Sequence, residues 1–173
     1  QLLESHGGAN NASTSQDRTA YTSWGPSELL GVLLWLEADR MRDLGRTLTQ
    51  ERLDLQRAVV RNERRQSYEM RPYGQTWLVL GSMIYPEGHP YRHPVIGSHA
   101  DLEAASLDDV RTFFDTWYVP ANASLCVAGD FEASKVRALI ERLFADIPNR
   151  PMPERQVALA PALACTGAGA GAG

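Results

Sequence analysis

Residues 59–74 read VVRNERRQSYEMRPYG and join the end of a helix to its stop. The helix is expected to begin just after residues 47–51, TLTQE, which carry a start signal, and no proline or glycine interrupts the segment that follows. The proline and glycine of RPYG then end it. The sequence therefore predicts a helix over residues 49–68, with a carboxylate, Glu63, at a position where an apolar residue is expected.

Glu63 lies on the apolar stripe of this helix. Leu55, Val59 and Glu63 follow one another at intervals of four residues, which places them on the same side. We therefore expect Glu63 to point inward with the two apolar side chains. An inward carboxylate needs a cation, because an unpaired charge away from water costs several kcal/mol.

That cation is either an arginine or a metal ion, and the residues alone leave both open, the arginine pair being the commoner arrangement. Arg64 and Arg65 follow Glu63 directly, but neighbours one and two positions apart do not face the same side of a helix. Arg57, Arg61 and Arg64 are expected to reach solvent.

Composition excludes several classes of partner. The chain has 173 residues, 17 Lys and Arg against 21 Asp and Glu, and a net charge of -4 with both signs interspersed. No basic surface suggests nucleic acid or an anionic membrane, so a neutral or peptide-like partner is easier to accept. No apolar run is long enough to span a bilayer. Cys126 and Cys165 lack the spacing of a metal or redox site.

The remaining pattern predicts one domain over residues 1–148, followed by a linker and low-complexity Ala/Gly tail over residues 149–173. The tail is excluded from the fold. An ordered loop is expected after the third helix, because its aromatic residues need burial. The predicted elements are polar, edge-type strands in 7–24, helices at 25–44, 49–68, 75–84, 106–117 and 132–144, and an inner strand at Ala123–Gly129.

Several blocks in this order resemble the pitrilysin/insulinase family of zinc metallopeptidases, specifically the amino-terminal domain of its bacterial members. The blocks are LLESHGGANNASTSQDRTAYTSW, LWLEADRM, VVRNERRQSYEMRPYG and YPEGHPYRHPVIGSHADLEAASLDDVRTFFDTWYVPANASLCVAGDF. The resemblance covers about residues 2 to 150. It implies an α+β fold, with a mostly antiparallel sheet and helices packed on one face.

The resemblance also implies a zinc site. In the family, two histidines of a His-x-x-Glu-His helix and a glutamate of a later helix hold the metal, and the first glutamate activates water. Glu63 matches the third ligand. No His-x-x-Glu-His occurs in the 173 residues, so we expect that helix to lie ahead of Gln1, no catalytic residue in this chain, and a truncated fragment that is inactive alone. The four histidines (His6, His89, His93 and His99) are expected to be structural.

For substrate, the resemblance implies an extended peptide added as a strand to the sheet edge at Asn11, Ala12, Ser13 and Thr14. The open alternative is an edge strand kept small and polar to avoid aggregation. The implied partners are a carboxy-terminal family domain or a partner subunit. An alternative function is a non-catalytic family subunit that binds peptide or pairs with an active one. Bacterial relatives suggest the periplasm.

Overall fold

The computed structural model of the chain describes residues 3–151 and 154. Over this part the protein is rich in helix and carries a small antiparallel sheet. The strands are β1 (Ala9–Thr14) and β2 (Thr19–Trp24), and the helices are α1 (Leu30–Thr47), α2 (Gln50–Arg64), α3 (Gln75–Ile84), α4 (His99–Ala104), α5 (Leu107–Trp117) and α6 (Ala133–Phe144).

The two strands form a hairpin in which Ala9 pairs with Trp24 and Thr14 with Thr19. The Ser15 N–H donates to the Arg18 carbonyl at 2.8 Å and closes the turn. Most of β1 is exposed, as its small polar residues lead one to expect. The prediction of polar strands in this region is confirmed.

The core lies where α1 packs against α5 and α6. Leu34 and Ala38, one turn apart on α1, are only 3% and 1% exposed. Val119, Val136 and Ile147 complete the buried set on this side. Arg42 fastens α1 to the end of α6, because its Nη2 donates to the Leu143 carbonyl at 2.6 Å.

Truncating Leu34 to alanine should lower the free energy of unfolding by about 2–5 kcal/mol, because the change leaves a cavity in a small core. Leu55→Ala is the matched control. Leu55 is 63% exposed, so its loss should shift stability by less than about 0.5 kcal/mol. Urea unfolding followed by circular dichroism measures both. Equal shifts for the two variants would contradict the placement of the core.

Side-chain caps begin three of the helices. The Thr49 hydroxyl accepts from the Arg52 N–H ahead of α2. Complete capping boxes pair Ser98 with Asp101 at α4 and Ser106 with Asp109 at α5. These hydrogen bonds, first those from the serine side chains, lower the pKa of Asp101 and of Asp109. The predicted helices are therefore found close to their expected bounds, and α4 is an addition inside the expected loop.

The inner strand predicted at Ala123–Gly129 is wrong. Residues 123–128 have no regular secondary structure, although Ala123 is extended, and Leu125 is 46% exposed. An apolar sequence becomes a strand only when a neighbouring strand offers ladder hydrogen bonds. None does so among residues 3–151 and 154. The mostly antiparallel sheet is therefore not observed, and the described sheet has two strands.

Within the part of the chain that the structure describes, no helix is both long and apolar enough to cross a bilayer. Cys126 is a free, exposed thiol. Cys165 and nearly all of the predicted tail at residues 149–173 lie outside the described residues. The division at residue 148 stays a prediction.

Candidate functional site at the edge of β1 and one face of α2

Three arginines on one side of α2 hold the helix against α4. Arg57 donates to the carbonyls of Leu102 and Ala105 at 2.6 and 2.8 Å. Arg61 pairs with Glu103 at 2.8 Å. Each of the three is partly buried. These arginines reach solvent only in part, because backbone carbonyls and a carboxylate in and beside α4 bind them.

The third arginine joins a small polar cluster at the end of α2. Arg64 donates to the Gly97 carbonyl at 2.6 Å and to Glu69 Oε1 at 3.1 Å. Glu69 ends a π-helical turn, Arg65–Glu69, and its Oε1 also lies 2.9 Å from His99 Nε2. His99 therefore serves the packing of α2 on α4, as the structural interpretation of this histidine expects.

The opposite side of α2 is uncovered in the described part of the chain. Leu55 and Val59 are 63% and 50% exposed, and Glu63, farther along the same stripe, is also exposed. The shared stripe is therefore present, but Glu63 points outward rather than into a core. The stripe of Leu55, Val59 and Glu63 is exposed because the arginines bind the other side of α2 to α4.

No cation from residues 3–151 or 154 lies within ion-pair distance of the Glu63 carboxylate. The arginine partner that sequence reasoning favoured is thus not found there. The same residues contain no group of three or more His, Cys, Asp and Glu side chains able to hold a metal. The described chain alone does not fit a complete zinc site.

Helix α3 also exposes apolar residues. It reads QTWLVLGSMI, yet none of its residues is buried, and Trp77 and Met83 are 69% and 79% exposed. Single exposed apolar residues are normal, whereas a whole apolar helix without burial marks an interaction surface. The loop after α3 is ordered, as predicted: His89 stacks on Tyr85 with ring centres 4.4 Å apart and accepts from the Tyr91 N–H.

The four residues predicted to bind peptide, Asn11, Ala12, Ser13 and Thr14, are consecutive in β1, and all are exposed. Strand β2 covers one edge of β1, and no strand of the described chain covers the other. The outer edge is therefore open to a further strand. Glu63 lies on a separate element, α2.

Contacts from two directions hold the hairpin in place. The Tyr21 hydroxyl of β2 lies 2.5 Å from the Tyr118 hydroxyl, and Arg40 of α1 sits 3.9 Å above the Tyr21 ring. Burial, and then the hydrogen bond with Tyr21, raises the pKa of Tyr118. At the hairpin tip, Tyr91 donates to Asp17. The open edge is thus carried on an anchored strand pair.

Comparison with known proteins gives related peptidases. The chain is 32% identical over 149 residues to the zinc protease PqqE of Helicobacter pylori, covering 86% of this chain and 33% of that protein. A solved protease from Helicobacter pylori superposes with a TM-score of 0.79 at 30% identity, over 91% of this chain and 37% of its own. A family model described as the peptidase M16 inactive domain matches residues 104–166.

The chain belongs to the pitrilysin/insulinase family. Another solved structure, a mutant of the ferredoxin protease FusC in complex with Arabidopsis ferredoxin, has a TM-score of 0.74 at 25% identity, over 86% of this chain and 16% of FusC. The chain spans about a third of the length of the PqqE relative that it matches. Its membership in the pitrilysin/insulinase family is what the sequence resemblance predicted.

Sequence reasoning missed two features of the site. The spacing of Arg57, Arg61 and Arg64 at intervals of four and three residues could have indicated that they share a packed face. The second feature is the hydrogen bond that the Ala12 N–H donates to the Asn11 side-chain oxygen, a local contact that asparagine commonly makes.

Proposed function

We propose that this chain forms part of a zinc-dependent endopeptidase that hydrolyses extended peptides. The observation that carries the proposal is the open outer edge of β1, a six-residue strand in which residues 10–14 are exposed. An unpaired strand edge binds any extended backbone through its N–H and C=O groups, and small side chains allow close approach. Such a surface suits a peptide or protein substrate. The related ferredoxin protease FusC was solved in complex with a protein of this kind, Arabidopsis ferredoxin.

Glu63 is proposed as one zinc ligand. A carboxylate beside two neutral imidazoles is a suitable zinc set for hydrolysis, and it leaves one position for water. Residues 3–151 and 154 supply no complete set, so the nitrogen donors and the general base belong to protein outside them. This chain is therefore expected not to hydrolyse peptides alone.

The exposed apolar stripe of α2 and the apolar helix α3 support the proposal that another protein layer supplies the remaining zinc ligands. Leu55 and Val59 lie on the same side of α2 as Glu63, and Trp77 and Met83 are exposed apolar residues of α3. Surfaces of this kind favour burial against another protein layer. The layer that supplies the other zinc ligands, from a further family domain or a partner subunit, is proposed to cover them.

Strand addition predicts binding that depends on the peptide backbone. A fluorescein-labelled nine-residue peptide of alternating Thr and Val, blocked at both ends, should bind the protein at its natural length with a chelator present to prevent cleavage. N-methylation of the five central residues should weaken binding more than about ten-fold, because each lost hydrogen bond is worth about 1 kcal/mol. Fluorescence anisotropy measures both. Equal affinities would contradict backbone pairing.

A non-catalytic family subunit is the second candidate, because the matching family model describes an inactive domain. Such a subunit would bind peptide, yet hold no zinc and cleave nothing at its natural length. Metal content and cleavage of the same peptide without chelator separate the two candidates. The periplasm remains the proposed compartment, which fractionation of the source cells tests.

A further inference from the structure

The register of the hairpin defines which backbone groups of β1 face its open edge. The hydrogen bond from the Ser15 N–H to the Arg18 carbonyl fixes one hydrogen-bonded pair, and such pairs alternate along an antiparallel ladder. Ser13 and Asn11 are therefore the next residues that bond to β2. The N–H and C=O groups of Asn10, Ala12 and Thr14 point outward.

One of these outward groups already has a partner. The Ala12 N–H donates to the side-chain oxygen of Asn11, Oδ1, at 2.8 Å. Ala12 is the central residue of the three that point outward. Asn11 and Ala12 are both exposed, so the contact can open without disturbing any buried group. An incoming strand cannot use the Ala12 N–H until Asn11 releases it.

We propose that the side chain of Asn11 is a displaceable cap on the open edge of β1. It occupies the central donor while the edge is empty and gives way to a peptide carbonyl during strand addition. The cap lowers the affinity for any extended backbone, and it limits pairing between copies of the protein, a hazard of open edges. This inference rests on the proposed function, because the occupant is the extended peptide.

The cap predicts that removing the Asn11 side chain strengthens peptide binding, although Asn11 lies in the binding strand. Asn11→Ala frees the Ala12 N–H and should tighten binding of the alternating Thr/Val peptide about three-fold to ten-fold, since the competing hydrogen bond is worth roughly 1 kcal/mol. Asn149→Ala makes the same change at an exposed asparagine outside the strand and should leave affinity within about two-fold. If Asn11→Ala binds the peptide no more tightly than the wild-type protein, the cap is overturned. Strand addition itself still stands in that case, provided that the wild-type protein binds the peptide.

Amide exchange tests the cap without any peptide. In the wild-type protein the Ala12 amide should exchange more slowly than those of Asn10 and Thr14. In Asn11→Ala it should exchange about three-fold to ten-fold faster, after correction for the preceding side chain. If the Ala12 amide exchanges faster in Asn11→Ala but neither the variant nor the wild-type protein binds the peptide, the cap is supported and the proposed function is contradicted. Unchanged exchange of the Ala12 amide in Asn11→Ala removes the cap.

Discussion

Replacing Glu63 with glutamine should abolish zinc binding and peptide hydrolysis by the protein at its natural length. The neutral amide removes the anionic oxygen proposed as a metal ligand. Mutating a residue that only hydrogen-bonds to a metal ligand lowers metal affinity or activity by roughly 10–100-fold. Loss of the ligand itself should therefore lower activity more than about a hundred-fold. Atomic absorption of the purified protein and cleavage of the blocked Thr/Val peptide measure the two effects.

Glu51→Gln is the matched control for this experiment. Glu51 is an exposed glutamate in the first turn of the same helix, α2, and it lies away from the proposed ligand position. Its loss should leave zinc content and activity unchanged. Glu63 is itself exposed and has no ion-pair partner in residues 3–151 or 154, so its substitution should not unfold the protein. Full zinc content in Glu63→Gln would end its assignment as a ligand.

Gly74→Ala should be strongly destabilising. Gly74 has an ordinary backbone conformation, with φ near -61°, so the requirement for glycine is one of space. A Cβ at this position would lie 2.1 Å from the Tyr68 carbonyl oxygen, and backbone cannot move aside as a flexible side chain can. We expect a loss of about 3 kcal/mol in the free energy of unfolding, measured by urea denaturation.

The same substitution at Gly31 should have the opposite sign. Gly31 lies in α1, and a Cβ there meets nothing within 4 Å. Alanine is the better helix former, so Gly31→Ala should raise the free energy of unfolding by about 0.5 kcal/mol. Two glycine-to-alanine variants of opposite sign would confirm that the junction between α2 and α3 is held by close backbone contact. Equal effects would contradict it.

The helices could be predicted from sequence because their signals are local. Ser106 with Asp109, and Thr49 ahead of α2, fix helix starts through contacts three residues apart. The stop after α2 is equally local. Helix α4 was missed because it is short and follows a loop dense in proline, glycine and histidine, although its own capping box, Ser98 with Asp101, was visible in the sequence.

The sheet could not be predicted in the same way, because strand pairing is not local. Ala123–Gly129 has the composition of an inner strand, but its ladder needs a neighbour that residues 3–151 and 154 do not provide. The hairpin could be predicted because its pairing is local. Its two strands are adjacent in sequence, so each supplies the other's partner.

The alignment of Glu63 with two apolar residues on one stripe of α2 could be predicted from sequence, whereas the exposure of that stripe could not. The periodicity placed Glu63 on the stripe of Leu55 and Val59, and the structure keeps that arrangement. The sequence could not tell which side of α2 would be covered, because the carbonyls that bind Arg57 and Arg64 come from residues 33 to 48 positions later. The apolar stripe suggested burial, whereas the arginine side is the packed one.

The arginine contacts between elements have a consequence for behaviour in salt. Arg42, Arg57 and Arg64 each donate to a backbone carbonyl of a distant segment at 2.6 Å. These are bonds between a charge and a dipole at contact distance and in partly buried places, where dissolved ions screen weakly. The junctions of α1 with α6 and of α2 with α4 should therefore hold across a wide range of ionic strength.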